Sequence, residues 1–159
     1  MTGGGRIAAR LVELGLALPE PGTPRGSYVP FVVTTGRLVF VAGQGPRRGG
    51  ALLYAGKVGG ERSVAEGYEA ARLCGLNLLA HLNVACSGDL DKVRRVVRVA
   101  GLVSCTADFI EHPKVVDGAS DLLHAVFGER GAHARIASGA VSLPSNMTVE
   151  VEACFELDA

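Results

Sequence analysis

Apolar positions along this chain switch between two periods. From residue 5 to 15, Ile7, Leu11 and Leu14 recur every three to four positions among alanines, and Gly15 stops the run, which predicts a short amphipathic helix. Residues 29–41 switch to strand-like runs. Phe31-Val32-Val33-Thr34-Thr35 and Leu38-Val39-Phe40-Val41 flank Gly36-Arg37 and predict a hairpin. A loop is expected over 43–50 and a third short strand over 51–54. Ser63-Val64-Ala65-Glu66 has the form of a capping box, and the helix it opens carries Ala71, Cys74, Leu78 and Leu82 on one stripe until Ser87-Gly88 ends it. Residues 93–105 predict a long strand with Val93, Val97, Val99, Gly101 and Val103 on one face, Arg95 as an intruder, and Arg94 and Arg98 on the other. Pro113 then opens a helix through Val115, Val116, Ala119, Leu122, Leu123 and Val126, which Gly128 caps. Two strands close the chain, 134–143 and 147–157. In the last, Val149, Val151, Ala153 and Phe155 alternate with Glu150, Glu152 and Glu156.

The order α, β-β-β, α, β, α, β-β predicts an α+β architecture: a mixed β-sheet with two helices packed on one face. Three prolines and two glycines between Pro19 and Gly26 read as a linker. The chain therefore divides into an N-terminal helix and linker, 1–25, and one domain, 26–159. Pro144-Ser145-Asn146 reads as a hairpin turn between the last two strands. That pairing sets Gly139 opposite Glu150 and places Arg135, Ala137 and Gly139 on the face of Glu150, Glu152 and Glu156. Arg135 then lies roughly 13 Å from Glu150 along the sheet. A face that mixes an arginine, glutamates and small residues hints at an oligomer with sites at its interfaces.

Composition narrows the function classes. The 159 residues are 48% apolar and 20% charged, as in ordinary globular domains, which excludes disorder. Sixteen basic residues balance sixteen acidic ones, so the basic surplus of nucleic-acid and membrane binders is missing and nucleic acid is an unlikely partner. Arg94, Arg95 and Arg98 form the one basic cluster. No run approaches the length of a membrane span. Cys74, Cys86, Cys105 and Cys154 match no zinc spacing and read as structural thiols of a cytoplasmic protein. Gly43-Gln44-Gly45 with Gly49 lacks the helix that a dinucleotide site needs, and Gly56-Lys57 lacks the rest of a P-loop. His81, His112, His124 and His133 show no ligand spacing and read as surface or helix-face residues. Asn146-Met147-Thr148 is a formal glycosylation sequon without a secretory signal ahead of it.

Arg135 stands among small and apolar residues in a strand. It is either an exposed or glutamate-paired strand arginine, or a bidentate clamp for a carboxylate. Gly26-Ser27-Tyr28 followed by the stretch from Gly36 to Gln44 resembles the opening hairpin of the YjgF/Rid family. Ala134-Arg135, ahead of Leu143-Pro144 and Val149-Glu150-Val151-Glu152-Ala153, resembles that family's C-terminal signature. The resemblance covers about residues 26–157. The helix before it and the segment around 111–118 look like a longer-chain branch.

The resemblance implies a chorismate-mutase-like fold and a homotrimer with a barrel-like core and ligand clefts between subunits. It implies hydrolysis of reactive enamines and imines such as 2-aminoacrylate to a 2-keto acid and ammonia, with no cofactor and no metal. By position, Arg135 would clamp the substrate carboxylate, Glu150 would activate water, and Tyr28 would close the cleft. Ala42, Gly43, Ile136, Ala137 and Ser120 would line the binding site. Two positions depart from the family: Ala42 stands where a hydroxyl residue is common, and Ala137 where cysteine is. These losses motivate an alternative, a non-catalytic trimer that binds a small carboxylate. The family's older names, translation inhibitor and endoribonuclease, supply a third reading, an RNA-acting protein.

Overall fold

The computed structural model describes residues 5–158. Two helices, α2 (Val64–Ala85) and α3 (His112–Phe127), cover one face of a five-stranded mixed sheet, and a third, α1 (Arg6–Glu13), packs against α3. The strands of the sheet are β1 (Phe31–Val33), β2 (Leu38–Gln44), β5 (Val93–Ser104), β6 (Ala134–Ala140) and β7 (Val149–Leu157), in the order β1-β2-β7-β5-β6. The expected third strand is only β4 (Ala51–Leu52). It pairs with β3 (Arg47–Arg48) in a separate ribbon that turns through two positive-φ glycines, Gly49 and Gly50.

The C-terminal hairpin is not formed. β6 runs parallel to β5 at the sheet edge, and β7 lies between β2 and β5, antiparallel to both. A helix stands between β5 and β6 in the chain, and the strand–helix–strand unit joins them as parallel neighbours. β7 takes the centre because Val149, Val151 and Phe155 are fully buried, whereas the small residues of β6 suit an edge. Glu150 is therefore level with Leu102, not Gly139, and Arg135 is level with Val99 and Ala153. Val99 and Ala153 are buried on the helix side, while Leu102 is exposed on the bare side. Arg135 and Glu150 thus belong to opposite faces of the sheet, which corrects the shared face read from the sequence.

β5 also departs from simple alternation. Register shifts between Val93 and Arg95 and between Val96 and Arg98 bring Val93, Val96 and Val99 inward. Val96 replaces Val97 in the core, and Arg95 points to solvent beside Glu156 instead of intruding.

The capping box of α2 is made in full. The Glu66 N–H donates to Ser63 Oγ at 3.1 Å and the Ser63 N–H to Glu66 Oε2 at 2.8 Å, together worth about 1 kcal/mol. α2 buries two sides, one on the sheet and one on α3. The helices meet closely at Gly118, where an added Cβ would lie 2.0 Å from the Tyr68 carbonyl oxygen. Ile7 and Leu11 carry α1 into the same apolar core. The backbone N–H groups of Arg6 and Ile7 donate to the Asp91 carboxylate at 2.7 and 2.8 Å, which fixes the start of that helix. Among the described residues, no helix is long and apolar enough to cross a membrane.

Candidate functional site

A cleft of about 820 Å³ opens between the segment preceding β1, the end of β2, the β3–β4 ribbon and β7. A one-residue bulge builds its wall. Val41 is level with Ala153 and Gln44 with Val151, so three steps on β2 match two on β7. The bulge brings Gly43 against Glu150: a Cβ there would stand 2.5 Å from Glu150 Oε1. Glycine is what lets the carboxylate lie flat on the β2 backbone. Burial, then the like charge of Glu152, push the Glu150 carboxyl above its ordinary value. Tyr28 lines the same cleft, half-exposed, and its hydroxyl accepts from the Arg25 N–H at 3.3 Å. Ala42 completes the group. From α2, Asn77 Nδ2 donates to the carbonyls of Gly45 and Arg47 at 3.0 and 2.9 Å, anchoring the ribbon that rims the cleft.

Arg135 organises a second cluster. Its Nη1 donates to Asp117 Oδ1 at 2.7 Å and to Ser120 Oγ at 3.0 Å, both on α3. Ser120 Oγ lies 2.9 Å from His133 Nε2, and His133 Nδ1 lies 2.6 Å from the Gly131 carbonyl. A carbonyl only accepts, so Nδ1 carries the proton and Nε2 accepts from the serine hydroxyl. Burial foremost, with Arg135 and His124 adding like charge, holds the His133 imidazole below its usual value and in this neutral form. The result is a fully directed chain, from guanidinium to hydroxyl to imidazole to backbone carbonyl.

The sequence-derived residues therefore fall into two groups. Tyr28, Ala42, Gly43 and Glu150 meet in the cleft; Arg135 and Ser120 meet at the β6–α3 edge. Ala137 follows Arg135 on the helix-facing row, level with Gly101, and Ile136 projects from the bare face, half-exposed. Two strand gaps and three residues of offset separate Glu150 from Arg135, roughly 14 Å at ordinary strand spacings. One chain does not join the two groups. Sequence reasoning missed Asp117 and His133, whose roles follow from α3 crossing over β6. It also read His81 as a surface or helix-face residue, yet His81 is buried in α2 against the cleft. Among the described residues, no cluster of three or more metal-ligating side chains occurs.

The bare face of the sheet is apolar where it is uncovered. Val32 and Phe40 are half-exposed on one side of it, Leu102 and Ile136 on the other, and a groove of about 320 Å³ runs beside Phe40, Ala100 and Glu152.

The family described as "YjgF/chorismate mutase-like, putative endoribonuclease" matches residues 8–157, a stretch that begins within α1. A Trypanosoma cruzi protein named "Protein TCP17" is 41% identical over 155 residues, 97% of this chain and 96% of that one. The crystal structure of a "putative endoribonuclease" from Shewanella oneidensis superposes with a TM-score of 0.92 at 40% identity, covering 96% of this chain and 100% of that one. Atu1372 from Agrobacterium tumefaciens, described as of unknown function, gives 0.89 at 43% identity over 96% and 92% of the two chains.

Proposed function

The chain belongs to the YjgF/chorismate mutase-like family and has its α+β fold, and from that premise we propose that it hydrolyses small reactive enamines and imines in clefts formed between copies of itself. The observation that carries this reading is Glu150, a half-buried carboxylate laid on Gly43 in an open cleft beside Tyr28, with no cation paired to it among the described residues. A carboxyl raised by burial holds a proton taken from water more readily than an ordinary carboxylate does. Arg135 supplies the complementary half, and the apolar bare face supplies a surface on which copies can associate. A trimer closed around these faces brings one subunit's Glu150 toward a neighbour's Arg135.

In the proposed reaction, Arg135 orients the carboxylate of a 2-iminium acid and Tyr28 covers it. Water adds to the C=N carbon while Glu150 accepts one of its protons. Glu150 then returns the proton to the amine nitrogen of the carbinolamine, the C–N bond breaks as the hydroxyl O–H breaks and C=O forms, and the hydroxyl proton leaves on the ammonia as ammonium. Orientation and one base suffice, because the iminium carbon is already electrophilic.

A second reading has a specific observation in its favour. Positions 42 and 137 are alanines, so the hydroxyl and thiol common there in the family are missing, which suits a trimer that binds a small carboxylate without turning it over. The RNA-acting reading draws on relatives' names and is opposed by the formal net charge of +0.

The test generates 2-aminoacrylate with a pyridoxal-phosphate dehydratase and follows pyruvate release. Wild type accelerates release; Arg135→Ala and Glu150→Gln do not. Unfolding the two variants together and refolding them restores about a quarter of wild-type activity, because that share of clefts draws both intact residues from different chains. Activity in either variant alone overturns the assignment. No acceleration by wild type, with a melting-temperature rise on adding 2-ketobutyrate, selects the binding trimer.

A further inference from the structure

Past the end of β5, away from the Glu150 cleft, Cys105 Sγ lies 3.4 Å from Nε2 of His112 in the first turn of α3. Both residues are half-buried. The imidazole is oriented by Phe109, which meets it edge to face with centroids 5.2 Å apart and planes at 82°. Gly139 of β6 makes the room. A Cβ there would lie 2.6 Å from His112 Nε2 and 2.9 Å from Cys105 Sγ, so the pair as built requires glycine. Gly139 is itself exposed and leaves an approach to the sulfur from solvent.

The other cysteines contrast with this one. Cys74, Cys86 and Cys154 are buried, and burial pushes their thiols upward, that of Cys86 to about 11. None of the three has an imidazole against its sulfur. A nucleophilic thiol needs a proton acceptor, access, and a fixed orientation, and Cys105 has all three.

We propose that Cys105 and His112 form a reactive thiol–imidazole pair that exchanges with low-molecular-weight disulfides, making Cys105 a site of reversible S-thiolation. His112 Nε2 takes the Sγ proton. The thiolate attacks one sulfur of the disulfide, the Cys105–S bond forms, and the reagent's S–S bond breaks. The departing thiolate takes the proton back from the imidazolium. One thiol and one disulfide give one mixed disulfide and one thiol, so the disulfide is the only oxidant needed.

The test treats the full chain with a limiting amount of 5,5′-dithiobis(2-nitrobenzoate) and locates the label by peptide mass. The first equivalent falls on Cys105, and Cys105→Ser loses the fast phase. His112→Gln slows labelling about tenfold or more at pH 7. Gly139→Val, which fills the approach, slows labelling as well. First labelling at another cysteine overturns the proposal. So does equal reactivity of His112→Gln and wild type at pH 7.

Discussion

Glu150 and Arg135 are the two charged residues proposed to act on the substrate, and the sheet treats them oppositely. Arg135 is satisfied. Asp117 neutralises it, Ser120 steers it, and His133 fixes Ser120. Glu150 is held against a glycine backbone, with a second carboxylate nearby and its ionised form disfavoured by burial. A satisfied charge is a good positioning device, because its geometry is set before a ligand arrives. A dissatisfied one is a good proton acceptor, because accepting the proton relieves it. The division of labour proposed for binding and proton transfer rests on this difference.

The largest effect is expected where the Arg135 half is braced. Gly118 follows Asp117 in α3, and a Cβ there would meet only backbone: 2.0 Å to Tyr68 O and 3.0 Å to Arg72 N. Backbone cannot rotate away, so Gly118→Ala must prise α3 from α2. We expect a loss of about 4 kcal/mol or more and a melting temperature lower by about 10 °C. A Gly118→Ala protein that melts within two or three degrees of wild type would break the claim that this half is rigidly braced.

Gly43→Ala probes the other half and reverses the pattern. Its added Cβ would meet Glu150 Oε1 at 2.5 Å and Cδ at 3.0 Å, the movable end of a side chain. Glu150 can swing aside at a cost of about 1 kcal/mol or less, but it then leaves its place in the cleft. Melting should change little, while the rate of the proposed deamination falls about a hundredfold. Full activity with the carboxylate displaced would remove Glu150 from the reaction.

How much of this was legible beforehand differs between the halves. Helix limits, the capping box, the inward alternation of β7 and the α+β class follow from local periodicity, and local periodicity is written in neighbouring residues. Glu150 and Gly43 were named individually because each sits in a recognisable stretch. Their contact was not, because it depends on a one-residue bulge between β2 and β7. The environment of Arg135 was misjudged further. Reading Pro144-Ser145-Asn146 as a hairpin turn put Arg135 on the face of Glu150, whereas the chain passes β5 to insert β7 at the centre of the sheet. Asp117 and His133 carry no motif; only the crossing of α3 over a parallel edge strand brings them to the guanidinium. Cys105 and His112 were both noted, but their pairing waits on a missing side chain in a third element, Gly139.

The smallest effect sharpens the comparison by pH. His133 is held below its ordinary 6.5 by burial, with Arg135, His124 and the Gly131 carbonyl around it, so the folded chain binds its proton less readily than the unfolded chain does. Its contribution is complete above about pH 6.5 and is lost as pH falls through the lower folded value. Buried His81 adds to the loss in the same direction. Glu150 runs the other way. Its folded carboxyl lies above the ordinary 4.5, so its contribution is complete below that value and is lost as pH rises through the folded one. Acidification therefore strains the His133–Arg135 cluster while it relaxes Glu150 itself, and His81 adds its own strain behind the Glu150 cleft. Melting curves at pH 8 and pH 5 test both signs. His133→Asn should reduce the acid-side loss by a few degrees, leaving the part due to His81. Glu150→Gln should raise the melting temperature at pH 8 more than at pH 5, and so make the acid-side loss steeper than in wild type. If both substitutions flatten the curve, the two halves titrate alike and the contrast drawn between them fails.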